Sequence, residues 1–268
     1  MLTTLLKGGL GNQLFQISTL INLAMQNREI YFIDLNLWPP KGGADTDVWQ
    51  AGEPKTYLNN VYRNLPIGSV RELKFKPSYI HREAGQQYSK IPFSKNMLLD
   101  GYFASEKYFK NIEHILRELF SPPPEHVENF NRKYRSDKQT ELVSIHVRRG
   151  AYLANLKHHN ICNLDYYNQA MSNFDQSKTK FIIFSDDLEW CKKNFKDVYF
   201  AEGQKDFEDF YDMMLCDHNI IANSTFSWWA AWLNKNRYKK VVSPKIWFGP
   251  ANSHLTIEDL IPKEWILI

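Results

Sequence analysis

The chain opens on a short apolar run, Leu2 to Leu6, followed by the glycine-rich turn Lys7-Gly8-Gly9-Leu10-Gly11-Asn12-Gln13. From Leu14 to Ala24 apolar residues recur at helical spacing. Ile30 to Leu35 (IYFIDL) reads as a strand, so the opening predicts a βαβ unit. Residues 38–60 carry prolines and a glycine pair but little periodicity, which predicts a long loop or irregular insertion. Phe103 to Phe120 predicts a helix, because Tyr108, Ile112, Ile115 and Leu119 recur every three or four residues.

Ser121-Pro122-Pro123-Pro124 is the strongest punctuation in the chain. Proline cannot continue a helix and biases the residue before it away from the helical region. Beyond it, strand and helix patterns alternate. Strands are expected at 141–147 (ELVSIHV), 181–185 (FIIFS), 197–200, 219–222 and 240–243. Helices are expected at 125–135, 188–195, 207–216 and 225–233. This repetition predicts a parallel sheet covered by helices. The expected division is an N-terminal domain over residues 1–130 and a C-terminal domain over 131–268.

Composition narrows the classes. The chain has 268 residues, of which 43% are hydrophobic and 15% aromatic, a folded and core-rich balance. The net charge is +3, carried by the first half, and no basic block of five or six residues occurs. That argues against nucleic acid as a partner. No uninterrupted apolar stretch is long enough to cross a bilayer, and the first ten residues do not read as a signal peptide. Cys162, Cys191 and Cys216 are widely spaced and odd in number, giving neither a disulfide framework nor a metal knuckle. A cytoplasmic location is the expectation. Peripheral contact with the inner membrane stays open, although no amphipathic basic helix announces it.

In parallel α/β sheets, ligands bind beyond the carboxyl ends of the strands. Those ends fall at four polar or glycine-rich segments. His146-Val147-Arg148-Arg149-Gly150 ends one strand, with His146 and Arg148 on one face and Arg149 on the other. An arginine there suits a phosphate or, equally, a neighbouring carboxylate. Asn223-Ser224-Thr225-Phe226-Ser227-Trp228-Trp229 follows another strand and opens a helix, which suits plain capping or an anion site. Ser185-Asp186-Asp187 offers carboxylates for a helix cap, a ribose or a base. Gly9, Gly11, Asn12 and Gln13 belong to the first turn, which lacks the Gly-Lys-Ser/Thr ending of a Walker A loop. Trp38, Trp49, Tyr57 and Tyr88 are candidates for stacking on sugar rings or for core packing alike.

Together, GGLGNQLFQ, HVRRGAY, FSDDLEW and NSTFSWWAAWL resemble, in that order, the α-1,2-fucosyltransferases of glycosyltransferase family 11. The tail DLIPKEWILI is also similar. The resemblance implies an α/β fold of GT-B type, two Rossmann-like domains facing each other across a cleft. It implies an inverting transfer of fucose from GDP-β-L-fucose to a hydroxyl, usually the 2-OH of a terminal galactose in an oligosaccharide or surface glycan. It implies no metal, and no cofactor beyond the GDP-fucose donor. By resemblance, Arg148 or Arg149 holds the pyrophosphate, and His146 orients phosphate or fucose. Asp186 or Asp187 contacts the nucleoside, with Ser185 and Asn223 beside them. Ser224, Thr225, Phe226 and Ser227 lie on the phosphate side. Gly9, Gly11, Asn12 and Gln13 close over the donor. One departure stands out: the family pattern His-x-Arg-Arg-Gly-Asp-Tyr has Ala151 here in place of Asp. An alanine takes no proton, so the alternative is a catalytically impaired or purely binding variant.

Overall fold

The computed structural model describes residues 1–37, 53–135, 137 and 139–268. Trp38, Trp49 and most of the irregular segment expected at 38–60 lie outside the described residues. The chain divides into two compact units, Met1–Phe120 with Glu258–Pro262, and Ser121–Ile257 with Lys263–Ile268. The division falls at the triple proline, ahead of the expected boundary at 130. The helix that follows the prolines therefore belongs to the second unit.

In the first unit, β1 (Leu2–Thr4), β2 (Tyr79–Arg82) and β3 (Met97–Asp100) form a parallel sheet in the order β1-β3-β2. The segment expected as a strand at 30–35 pairs only through isolated bridges, Leu2 to Tyr31 and Ile33 to Ile67. Helix α1 (Leu10–Gln26) begins four residues before the apolar periodicity does and is buried almost throughout. Its polar residues bond inward: the Asn22 amide donates to the Tyr108 carbonyl at 2.6 Å. The helix expected over 103–120 is shorter. Phe103 has φ of +51°, in the left-handed region, so the chain enters two 3-10 turns before α2 (Glu113–Leu119). The turn at Phe103 wraps the Glu83 carboxylate, which accepts from the N–H groups of Tyr102 at 2.6 Å and Phe103 at 2.9 Å. Burial pushes the Glu83 pKa up, against the pull of those N–H groups and of Lys7. Tyr57 is a core residue, edge-on to Tyr62, so it does not offer a face to a sugar.

The second unit opens with α3 (Pro124–Tyr134) and carries six strands: β4 (Glu141–Val147), β5 (Thr179–Ser185), β6 (Tyr199–Phe200), β7 (His218–Ile220), β8 (Val241–Ser243) and β9 (Ile266–Leu267). All are parallel, in the order β6-β5-β4-β7-β8-β9. Counted within the unit, that is the 3-2-1-4-5-6 order of the doubly wound nucleotide-binding fold. The crossovers are α4 (Gly150–Leu153) and α5 (Leu164–Met171), then α6 (Leu188–Asn194), α7 (Asp206–Leu215) and α8 (Thr225–Leu233). Alternation along β4 explains both faces. Val143, Ile145 and Val147 join Tyr167, Ala170, Ile183 and Cys191 in one apolar core. Ser144 and His146 point the other way, into a polar layer beneath α7 and α8. There the Asn219 amide donates to Ser144 Oγ at 2.7 Å and to the Met213 carbonyl at 2.8 Å. The three cysteines are free and buried, and burial pushes the Cys162 and Cys191 thiols up to about 11. Such thiols are inert packing groups.

Candidate functional site

The strand order of the second unit reverses between β4 and β7, and a doubly wound sheet opens its crevice at that point. Three segments crest there: the end of β4 with α4, the β5–α6 turn, and the N-terminus of α8. They carry most of the residues singled out from the sequence.

The two arginines are pinned in parallel fashion, each by one carboxylate and one ring. Arg148 Nη1 lies 2.8 Å from Asp186 Oδ2, and its guanidinium carbon is 5.4 Å from the centre of the Tyr152 ring. Arg149 Nε lies 3.2 Å from Asp187 Oδ2, and its guanidinium carbon is 4.0 Å from the centre of the Trp190 ring. A cation over an aromatic face is attracted to the ring quadrupole, so the rings hold the charges without neutralising them. Asp186 also accepts the Arg149 N–H at 2.8 Å. Burial raises its pKa, but the Arg148 charge and the N–H groups of Arg149 and Gly150 outweigh this and hold it below the ordinary carboxylate range. A Cβ on Gly150 would meet Asp186 Oδ2 at 2.9 Å, which explains a glycine where the carboxylate grips the backbone. Asp187 caps α6, accepting the Trp190 N–H at 3.2 Å. The Ser185 hydroxyl accepts the Asp187 N–H at 2.9 Å.

The two arginines do not face the same way. Arg148 shares its strand face with His146 and lies over the Tyr152 ring, whose hydroxyl donates to the Asn223 carbonyl at 3.1 Å. Arg149 lies against α6. The N-terminus of α8 supplies first-turn N–H groups that have no carbonyl partner within the helix, and the positive end of a helix dipole. Its cap residue Ser224 is extended and makes no side-chain cap bond. Thr225 and Phe226 follow in the first turn, half-buried.

Several expected contact residues are buried and bonded internally. His146 is 5% exposed; its Nδ1 is 2.9 Å from Ser227 Oγ, and its ring packs on Phe226. Ser227 in turn donates to the Ser224 carbonyl at 3.3 Å, so this pair steadies the start of α8. Asn223, 2% exposed, gives both amide hydrogens inward, to the carbonyls of Asn160 at 2.9 Å and Trp247 at 2.7 Å. Gln13 is fully buried in the first unit; its amide donates to the Gly8 carbonyl at 2.8 Å and accepts from the Tyr62 hydroxyl at 2.6 Å. It clamps the glycine turn and does not point out of it. Gly11 is buried as well, while Asn12 stays half-buried at the turn. Ala151 is exposed on α4. Sequence reasoning missed Tyr152 and Trp190 as partners of the arginines. Both stand inside the quoted motifs, four residues after Arg148 and five before Phe195, and only a ring-to-guanidinium argument singles them out.

Burial, then the Arg148 charge, push the His146 pKa down to about 3. The folded state keeps this imidazole neutral, whereas an unfolded histidine takes up a proton near pH 6.5. Below that pH the unfolded state binds the extra proton, so stability is whole above pH ~6.5 and is lost as the pH falls toward ~3. Urea midpoints are therefore expected to drop between pH 7.5 and pH 5, and His146→Asn is expected to flatten that slope. An unaltered slope in the variant would remove His146 as its cause.

A six-stranded parallel sheet in this order, with pinned arginines and a helix N-terminus at its switch point, defines a doubly wound unit of the Rossmann class. Comparison with known proteins carries this further. Residues 1–268 match the model of Glycosyl transferase family 11, and the chain belongs to that family. It is 31% identical to an Escherichia coli protein named alpha-1,2-colitosyltransferase, over 98% of this chain and 97% of the relative. It is 28% identical to an E. coli O-antigen biosynthesis glycosyltransferase, over 96% and 98%. A bovine galactoside 2-alpha-L-fucosyltransferase is 29% identical, over 85% of this chain and 62% of its own length. Among solved structures, E. coli ADP-heptose heptosyltransferase II aligns with a TM-score of 0.55 at 9% identity, over all of this chain and 89% of that one. The Bradyrhizobium fucosyltransferase NodZ aligns with a TM-score of 0.52 at 15% identity, over 85% and 92%. The fold is thus the α/β, parallel-sheet type expected from the sequence.

Proposed function

We propose that this chain is an inverting glycosyltransferase that moves L-fucose from GDP-β-L-fucose to a galactose hydroxyl, the 2-OH, on an oligosaccharide or surface glycan. The observation that carries the reading is Arg148, held by Asp186 and by the Tyr152 ring whose hydroxyl bonds the Asn223 carbonyl ahead of α8, at the switch point of a family 11 chain. In this reading the second unit takes the GDP-sugar and the first unit takes the acceptor. The acceptor oxygen bonds to the anomeric carbon from the face opposite GDP. The bond from that carbon to the diphosphate oxygen breaks, and GDP leaves with the electron pair. Charge grows on the diphosphate as it leaves, and Arg148 with the α8 amides stabilises it where it grows. Asp186 and Asp187 face the nucleoside. The acceptor proton departs late, to solvent water, because the sugar carries positive charge before the new bond completes. That timing lessens the demand for a strong base where Ala151 supplies none.

The setting proposed is bacterial surface-glycan synthesis at the cytoplasmic side of the membrane. One relative is named for O-antigen biosynthesis. No helix among the described residues is long and apolar enough to cross a membrane. The test is to incubate the protein with GDP-fucose and short galactosides and to read mass and linkage. An α-1,2-fucosylated product is expected. A second donor belongs in the same assay, because one relative is named a colitosyltransferase. Transfer from GDP-colitose but not from GDP-fucose would overturn the donor assignment. No transfer from either, restored by Ala151→Asp, would favour the impaired variant that the exposed alanine suggests.

A further inference from the structure

Arg148 and the N-terminus of α8 stand on different crossovers, yet a diphosphate has to meet both at once. The side chain that joins them is Tyr152. Its hydroxyl donates to the Asn223 carbonyl at 3.1 Å, so it grips the residue ahead of the Ser224 cap of α8. One face of its ring carries the Arg148 guanidinium. The ring is also stacked on His159, with centroids 4.2 Å apart and planes 8° from parallel. We propose that Tyr152 is a positioning residue for the diphosphate, its ring setting Arg148 and its hydroxyl setting the start of α8. This rests on the reading of that crest as the diphosphate site.

The backing of the ring is built, not incidental. His159 bridges to Phe248, and the Gly249 N–H donates to the His158 carbonyl at 2.9 Å. The Ala251 N–H donates to the Lys157 carbonyl at 2.9 Å. A Cβ on Gly249 would lie 2.6 Å from the His158 carbonyl carbon, so the two loops meet this closely only with glycine there. Asn223 is stapled to the same two loops, through Asn160 and Trp247. His159 and Asn223 thus hang from one support, and Tyr152 spans the gap between them. A flexible arginine otherwise loses rotamer freedom when it binds. The ring and Asp186 together settle that cost before the ligand arrives.

Three chains distinguish this from a plain structural role: wild type, Tyr152→Phe and Tyr152→Leu. GDP affinity is read by calorimetry, guanosine affinity by NMR titration and folding by thermal melting. The Phe variant keeps the ring and loses the hydroxyl, so GDP is expected to weaken about fivefold. The Leu variant loses both, so GDP is expected to weaken about 30-fold. Guanosine, which has no phosphate, is expected to bind all three alike. GDP binding within twofold of wild type in the Leu variant overturns the proposal, as does an equal loss for GDP and guanosine. If the Leu variant does not fold, the GDP-to-guanosine ratio of the Phe variant decides on the same criteria. Failure of the wild type to bind GDP overturns the diphosphate reading itself. A loss in Arg148→Ala without one in the Tyr152 variants overturns only the positioning role.

Discussion

Arg148→Ala is expected to weaken GDP binding about 100-fold, against about tenfold or less for Arg149→Ala. Truncating one partner of a desolvated, hydrogen-bonded charge pair costs about 2–5 kcal/mol in binding, and each 1.4 kcal/mol is about tenfold. Two effects act together at Arg148. The ligand loses a cation, and Asp186 is left uncompensated next to an incoming dianion. Asp186 is held ionised by backbone N–H groups as well as by Arg148, so it does not simply protonate when the arginine goes. At Arg149 the geometry differs. That guanidinium lies on the Trp190 ring at the α6 side, and its loss leaves the α8 amides and Arg148 in place. Arg148→Lys is expected to fall in between, since lysine keeps the charge but not the planar fork or the ring contact. Unchanged GDP affinity in both alanine variants would sink the phosphate assignment.

How far the sequence alone could reach depended on how each residue spends its polar atoms. Strand β4 and helix α8 lie where the apolar patterns put them, because each is buried over nearly its whole length. β7 starts one residue earlier than expected. Asn219 is polar yet fully buried, its amide consumed by Ser144 and Met213. β2 is half solvent-facing and only four residues long, and β9 has two residues, so neither carries a periodicity to read. The crest itself was legible because strand alternation and the carboxyl-end rule together point to it. The division of labour within it was not. Gln13, Asn223 and Ser227 have the chemistry of ligand contacts, and nothing in one sequence shows that internal carbonyls and His146 already occupy them. The proposed preference for Arg148 over Arg149 rests on the rings beside them, Tyr152 in the same motif and Trp190 on the next crossover.

The aromatic richness of the chain reads the same way at the tryptophans. Trp228→Ala is expected to destabilise the second unit by about 4 kcal/mol, the range for emptying a large aromatic site in a core. For a unit of this size that lowers the melting temperature by about 10 °C. Trp228 is completely buried, stacked on Trp232 at 6.1 Å, edge-on to Trp229 at 5.2 Å and tilted against Trp265 at 5.5 Å. Trp265 comes from the tail, so the same cluster ties the last strand, β9, to α8. Trp265→Ala is therefore expected to destabilise the same unit by a smaller amount, since its neighbours can close part of the gap. A stacking role for Trp228 in sugar binding predicts a different pattern, in which galactosides protect the wild type on heating and the melting point of the free variant barely moves. The cluster lies in the core behind α8, so the expected pattern is the reverse. The free variant melts early, and at a temperature where it is folded its GDP affinity stays within a few-fold of wild type. A variant that melts like the wild type would show that the tryptophans are not what fastens α8, and with it the crest that carries Ser224, to the sheet.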